Sequence, residues 1–402
     1  MKSFGGTIAA LRPEAELLVL SAQLSSSDEE ADSARALVQS KCDWSYLLQA
    51  AQDHGVMPLL YRHLLSVRPS IPEEVLKRLH DEVVANTQSN LALTRELFEL
   101  LDRFEAHEVR AIPYKGPALA TSAYGDVAFR QFVDLDLIVR KRDVLRVKEL
   151  LVTRGWQPEF ELNGAQEAAF LDLYYDYGFR NEQGVLIEIH WELTEGYFNF
   201  PIDVERLWDR LVPVTIAGRR VMTLSPEDSL LIVCVHSSKH LWSRLGWISD
   251  VARVIESHRE MNWPVVIDRA ARLGSKRMLS LGLFLAAELL GASVPEQVRK
   301  TLHSDSTVGA LAADVVKRLF EERTNPPGIL ESALLHLRMR ERLRDRIRYL
   351  LRLGFMTTVG DLTAIRIPRR LFFLYYPLRP LRLAAKYGRR LLARVLQREG
   401  ER

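Results

Sequence analysis

A chain of 402 residues, 47% hydrophobic and 27% charged, has the makeup of a soluble globular protein with room for two or three domains. A net charge of +3 sets up no global field of the kind nucleic-acid binders use, and two distant cysteines, Cys42 and Cys234, give no disulfide framework or metal spacing. No uncharged apolar run reaches the ~18 residues of a spanning helix, and the N-terminus lacks a secretory pattern, so a cytoplasmic location is expected.

Residues 1–109 read as a helical region. Asp43 precedes a helix carrying Trp44, Leu47, Leu48 and Ala51, and His54-Gly55 ends it. Pro58 starts the next. A long helix runs from about Glu73 to Ala106, with Val75, Leu79, Val83, Ala85, Leu91, Leu97, Leu100 and Leu101 at helical period. His54, His63 and His80 read as surface or capping histidines.

Residues 110–223 change character: short strands alternate with short helices and a hairpin closes the set, an α/β or α+β pattern. Ala111–Tyr114 is a strand candidate, and Lys115-Gly116-Pro117 a turn into a short helix ending at Tyr124. Phe129–Val139 follows as a strand containing Val133-Asp134-Leu135-Asp136-Leu137. Alternation puts Asp134 and Asp136 on one face, with Val133, Leu135 and Leu137 on the other. Neighbouring carboxylates repel unless a cation or proton intervenes, and oxygen ligands suit Mg²⁺ or Mn²⁺. The competing reading is an edge strand with two surface acids. Trp156–Leu162 is a further strand candidate. Tyr177–Asn181 and Val185–Trp191 flank Glu182-Gln183-Gly184 as a hairpin. On its second strand Leu186, Glu188 and His190 share one face, and Ile187, Ile189 and Trp191 the other. If this strand lies beside the Asp134/Asp136 strand, Glu188 completes a three-carboxylate cluster. Otherwise Glu188 and His190 line a wet face.

Residues 224–328 return to helix. Ser225-Pro226-Glu227-Asp228 is a start signal for a helix to about Trp242. His236 and His240 sit at i, i+4, without the Glu or third ligand a zinc site needs. Residues 329–402 form a basic arm. Arg338, Arg340, Arg342, Arg344, Arg346, Arg348 and Arg352 stud one expected helix. From Leu362 to Arg398 no acid occurs, and aromatic and apolar residues alternate with Arg and Lys. That mixture predicts attraction to an anionic surface, with a membrane, at the inner face of which the protein would sit peripherally, favoured over nucleic acid. A basic arm folded onto the body is the alternative.

A glycine turn into a helix, followed by carboxylates on neighbouring strands, suits metal-assisted phosphoryl or nucleotidyl transfer. The chain resembles the polymerase-β-like nucleotidyltransferase superfamily, and within it a bacterial group of uncharacterised nucleotidyltransferases. The resemblance rests on Lys115-Gly116, Arg130, Asp134-Leu135-Asp136 and Glu188-Ile189-His190-Trp191. Asp43-Trp44, Leu60-Tyr61-Arg62 and His236-Ser237-Ser238-Lys239-His240 with Trp247 and Asp250 extend it over about residues 40–260. It implies an α+β fold with a mixed sheet flanked by helical regions, and a Mg²⁺- or Mn²⁺-dependent enzyme that moves a nucleoside monophosphate from a nucleoside triphosphate to a hydroxyl acceptor, whether small molecule, glycan or protein. It also implies Asp134, Asp136 and Glu188 as catalytic metal ligands, and Lys115, Gly116, Arg130, His190 and Lys239 as nucleotide contacts. Pro117 departs from the superfamily's turn, because proline has no N–H to offer a phosphate. A catalytically silent binding protein on the same fold, anchored by its basic end, is the second expectation.

Overall fold

The computed structural model describes residues 11–24, 28–40, 42–162, 164–198, 200–303, 305–321 and 327–356. The acid-free segment 362–398 lies outside the described residues.

The fold is α+β. Among the described residues, five N-terminal helices, α1 (Pro13–Ala22), α2 (Asp28–Gln39), α3 (Trp44–His54), α4 (Met57–Leu65) and α5 (Glu73–Ala106), precede the sheet. Their ends follow local chemistry. The Asp43 side chain accepts from Tyr46 N–H at the start of α3, and Gly55 ends that helix at φ 69°, a conformation a Cβ disfavours. The 34-residue α5 has the bounds its periodicity predicts, but its buried face is Leu76, Leu79, Leu93, Leu97, Leu100 and Phe104. Leu91 and Ala85, expected inward, face solvent. A helix about 50 Å long spans more than one packing partner, so no single stripe stays inward along it.

The central sheet has the order β1-β2-β5-β4-β3. Its strands are β1 (Ala111–Pro113), β2 (Asp134–Val139), β3 (Gln157–Pro158), β4 (Asp176–Arg180) and β5 (Leu186–His190). Between them lie α6 (Gly116–Tyr124), α7 (Val144–Thr153) and α8 (Gly164–Leu173). β1 pairs antiparallel with β2, β2 parallel with β5, and β5 antiparallel with β4 in the expected hairpin. One face of the sheet is apolar: Leu135, Leu137, Ile187, Ile189 and Trp191 pack with Leu97, Leu100 and Phe104 of α5 and Val147 and Leu151 of α7.

Two strand expectations fail for identifiable reasons. The strand expected from Phe129 begins only at Asp134. A 3₁₀ turn at Val127–Phe129 comes first, capped by Asp126, and Val133 stands 78% exposed ahead of the strand. The strand expected over Trp156–Leu162 shrinks to two residues, where Pro158 has no N–H for a ladder. The sequence reading also passed over a small antiparallel sheet, β6 (Val212–Ile216) with β7 (Arg219–Thr223). Its turn is Ala217-Gly218, at φ 45° and 84°, the left-handed pair a two-residue hairpin needs.

Helices α9 (Pro226–Lys239), α10 (Leu245–Ser257), α11 (Trp263–Leu273), α12 (Lys276–Leu290), α13 (Glu296–His303), α14 (Ser306–Phe320), α15 (Ile329–Arg338) and α16 (Leu343–Phe355) complete the described chain. Helix α9 opens on the Ser225-Pro226 cap but stops at Lys239, because Leu241 and Trp242 both adopt left-handed backbone, φ 57° and 55°. The single arginine-rich helix is two helices, α15 and α16, broken at 339–342. There Arg340 is buried, stacked against Phe198 and Tyr349, and donates to the carbonyls of His336 and Phe198. Apolar groups of α1 to α4 and of α9 to α14 form one continuous cluster, so the helices before and after the sheet region share a core.

Candidate active site

The polar face of the sheet opens into a cleft of about 660 Å³. Parallel pairing of β2 with β5 sets its floor, with Asp136 opposite Glu188 and Ile138 opposite His190. The same strands send Leu135, Leu137, Ile187 and Ile189 into the core, so burial of one face forces the polar residues to the other. The expectation that the hairpin strand lies beside the Asp134/Asp136 strand is met by this register.

Asp136 is the most enclosed of the acids. Lys115 Nζ donates to its Oδ1 at 2.8 Å, His190 Nε2 lies 3.1 Å from the same oxygen, and the Tyr114 hydroxyl is at 3.5 Å. His190 Nε2 is also 3.3 Å from Glu188 Oε2. Both neighbours are carboxylates, so Nε2 carries the proton. Burial alone would raise the Asp136 carboxyl, but Lys115 and His190 hold it below the ordinary range. Burial works against the His190 cation, yet hydrogen bonds to Asp136 and Glu188 lift its pKa to about 9. The hydrogen bond from His190 lowers Glu188. Asp134 lines the cleft two residues before Asp136; burial and then the Asp136 charge push it up to about 6. Asp176, opposite His190 on β4, is raised by burial to about 6.

Among the described residues, donor atoms of Asp136, Glu188 and His190 lie within 4.8 Å of one another, close enough for one metal ion. Two carboxylates and an imidazole suit a divalent cation, and Asp134 stands beside them on the same face. His190 Nδ1 is buried with no protein partner. The set shares Asp136 and Glu188 with the one expected, brings in His190, and leaves Asp134 outside the 4.8 Å group among the described residues. Meanwhile Lys115 and His190 supply the positive charge that buried carboxylates need.

The turn before the cleft comes from Gly116, at φ 49°. A Cβ there would sit 3.3 Å from the Asp134 carbonyl, so the turn packs directly on the start of β2. It opens α6 with Lys115 at the N-cap and Pro117 in the first turn. Arg130 reaches the cleft wall, but its Nε and Nη2 grip Asp250 of α10 at 2.8 and 3.0 Å, and the Tyr124 hydroxyl donates to the same carboxylate at 2.8 Å. Lys239 sits over the Tyr175 ring, 4.7 Å from its centroid, and pairs with Glu195 at 3.2 Å. His236, His240 and Trp247 form an aromatic wall, with ring centroids 4.6 to 5.6 Å apart. Burial keeps both histidines neutral, His240 at about 3, and neither joins the carboxylate cluster.

Sequence reasoning missed Tyr114, Tyr175, Asp176 and Asn90. Asn90, fully buried in α5, donates to the carbonyls of Val127 and Arg130 and so ties down the segment entering β2. An asparagine within an apolar helical stripe was its only sequence signal. Tyr175 and Asp176 were within reach, because they directly precede a hairpin strand already assigned.

Nucleotidyltransferase is the class to which comparison with known families assigns the chain. The profile of the family described as "Uncharacterised nucleotidyltransferase" matches residues 40–291, well over half of the sequence, and the chain belongs to that family. Solved structures with some likeness include lincomycin-bound lincosamide antibiotic adenylyltransferase LnuA, at 18% identity and TM-score 0.29, over 40% of this chain and 94% of that one. Another is an antigenic nucleotidyltransferase-like protein from Paracoccidioides brasiliensis, at 16% identity and TM-score 0.31, over 53% of this chain and 97% of that one. No curated protein sequence matches.

Proposed function

We propose that the protein transfers a nucleoside monophosphate from a nucleoside triphosphate to a hydroxyl group of an acceptor, with a divalent metal ion at Asp136. The observation that carries this reading is the register of β2 on β5, which sets Asp136 against Glu188 on the cleft floor. Asp134, Asp136 and Glu188 would hold the metal, with His190 as the hydrogen-bond donor that orients the last two. When bound, such an ion neutralises phosphate charge and lowers the pKa of a hydroxyl beside it.

The chain's own groups have separable tasks. Glu188, half-buried at the cleft, accepts the proton of the attacking hydroxyl as its oxygen bonds to the α-phosphorus and pyrophosphate leaves. Lys115, one residue before the helix, swings from Asp136 to the phosphates. Gly116 keeps the turn close to β2. Arg130 holds Asp250 and steadies the wall, while Lys239 meets anionic groups at the cleft's far side. The aromatic wall of His236, His240 and Trp247 excludes water and offers flat surfaces to a base or acceptor.

The test is release of pyrophosphate and labelling of an acceptor pool by purified protein with each nucleoside triphosphate and Mg²⁺ or Mn²⁺, beside an Asp136→Asn control. Equal turnover by wild type and variant would sink the assignment. The ion pair of Asp136 with Lys115 favours a second reading, a silent site that binds without turnover. Calorimetric binding of a metal–nucleotide complex with no pyrophosphate released would support it.

A further inference from the structure

The last described helix has a surface that the cleft does not use. Leu343, Ile347, Leu350, Leu351 and Phe355 of α16 are between 47% and 69% exposed. At 100° per residue, the first four fall on an arc of about 100° that runs ~12 Å along the helix. The opposite side is anchored. Tyr349 is buried, bonded to His336 and stacked under Arg340, and Asp345 is buried too. Exposed charges on α16 are arginines only: Arg344 and Arg348 border the leucine arc along one side, and Arg352 lies further round the same way, donating to the Gly196 carbonyl. The helix's sole acid, Asp345, faces inward, 3.7 Å from Arg344.

We infer that this face of α16 docks in the plane of an anionic lipid surface. An apolar arc with arginines along one edge matches the boundary between acyl chains and headgroups: leucines enter the hydrocarbon and guanidinium groups stay at the phosphates. A nucleic-acid backbone would engage the arginines and leave the leucines wet. Charge also argues against the chain's own end as the cover. Residues 362–398, outside the described residues, carry ten Arg and Lys and no acid, a charge unlike the one that would neutralise the arginines of α16 and like the one that seeks an anionic surface. The helix reaches only the interface, since no helix among the described residues is long and apolar enough to cross a membrane.

The experiment is co-sedimentation of the full chain with phosphatidylglycerol-containing vesicles and with pure phosphatidylcholine vesicles. The expected result is binding to the anionic vesicles alone, weakened by salt. A Leu343→Gln, Ile347→Gln, Leu351→Gln variant should lose at least about tenfold in partitioning with its melting temperature unchanged. A second variant, Arg344→Gln with Arg348→Gln, should also bind more weakly, while its leucines are intact. Wild-type-like binding by the leucine variant overturns the inference and places attachment in residues 362–398 alone. Equal binding to phosphatidylcholine, or no binding by the wild type, overturns it as well. So does a leucine variant that melts lower yet still binds vesicles, the mark of a face covered by the chain itself. Loss of a dimer on size exclusion with vesicle binding intact would assign the face to a second copy instead.

Discussion

Lys115 Nζ lies 2.8 Å from Asp136 Oδ1, and both side chains are largely shielded from water. An ammonium therefore stands against the carboxylate at which the proposed metal binds. Competition follows: Lys115→Met should tighten Mn²⁺ binding in the absence of nucleotide on the order of tenfold, a change of ~1.4 kcal/mol. The same substitution should weaken binding of the nucleoside triphosphate. Electron paramagnetic resonance of free Mn²⁺ reads the first effect and calorimetry the second. Mn²⁺ affinity that stays level or falls would remove Lys115 from the metal's place.

Glu188 gives the cleaner test of chemistry. Its carboxylate faces Asp136 across the parallel pair but remains partly open to the cleft, so Glu188→Gln keeps the shape and removes the charge. Nucleotide transfer should drop about 10³-fold, some 4 kcal/mol in the barrier. The thermal melt should hardly move. Retained transfer would mean that the proton goes to another group.

Arg130 and Asp250 form a buried bidentate pair that joins the segment before β2 to α10. Arg130→Met leaves Asp250 and the Tyr124 hydroxyl facing each other without a cation. Removing one partner of such a pair costs about 3–5 kcal/mol. Urea denaturation should show that loss; a shift below about 1 kcal/mol would mean that the guanidinium is free for a ligand.

His336 makes acid stability testable. Its Nε2–H donates to the Lys239 carbonyl, so Nδ1 accepts from the Tyr349 hydroxyl. Burial, then the Arg340 charge, depresses its pKa to about 4. The unfolded chain, near 6.5, takes up the proton first. Stability is therefore full above about pH 6.5 and drains as pH falls towards 4, by up to roughly 3 kcal/mol from this residue. His54 and His240, lowered by burial to about 4 and 3, act in the same direction. Asp134 and Asp176, raised to about 6, act against them. The difference between wild type and His336→Gln in denaturation midpoint, followed from pH 7 to 4.5, isolates the residue: the variant's curve should be flatter. Parallel curves would show that His336 does not titrate in this window.

Much of the site was legible in the sequence because β-strand alternation is strict. Once Asp134-Leu135-Asp136 and Glu188-Ile189-His190 are strands, burial of the aliphatic residues leaves the polar ones no other face. Helix ends marked by Gly55 or by Ser225-Pro226 were equally local and fell where side-chain chemistry puts them. Long-range pairing is not local, and there the residue pattern leaves alternatives open. Only the fold brings β5 beside β2, links Arg130 to Asp250 across 120 residues, and buries Arg340, a residue that sequence places on a solvated basic helix. A lone residue's charge and spacing report the shape of its own segment. Which partner satisfies that charge depends on where distant segments pack, and that set Lys115 against Asp136 and left the leucines of α16 facing outward.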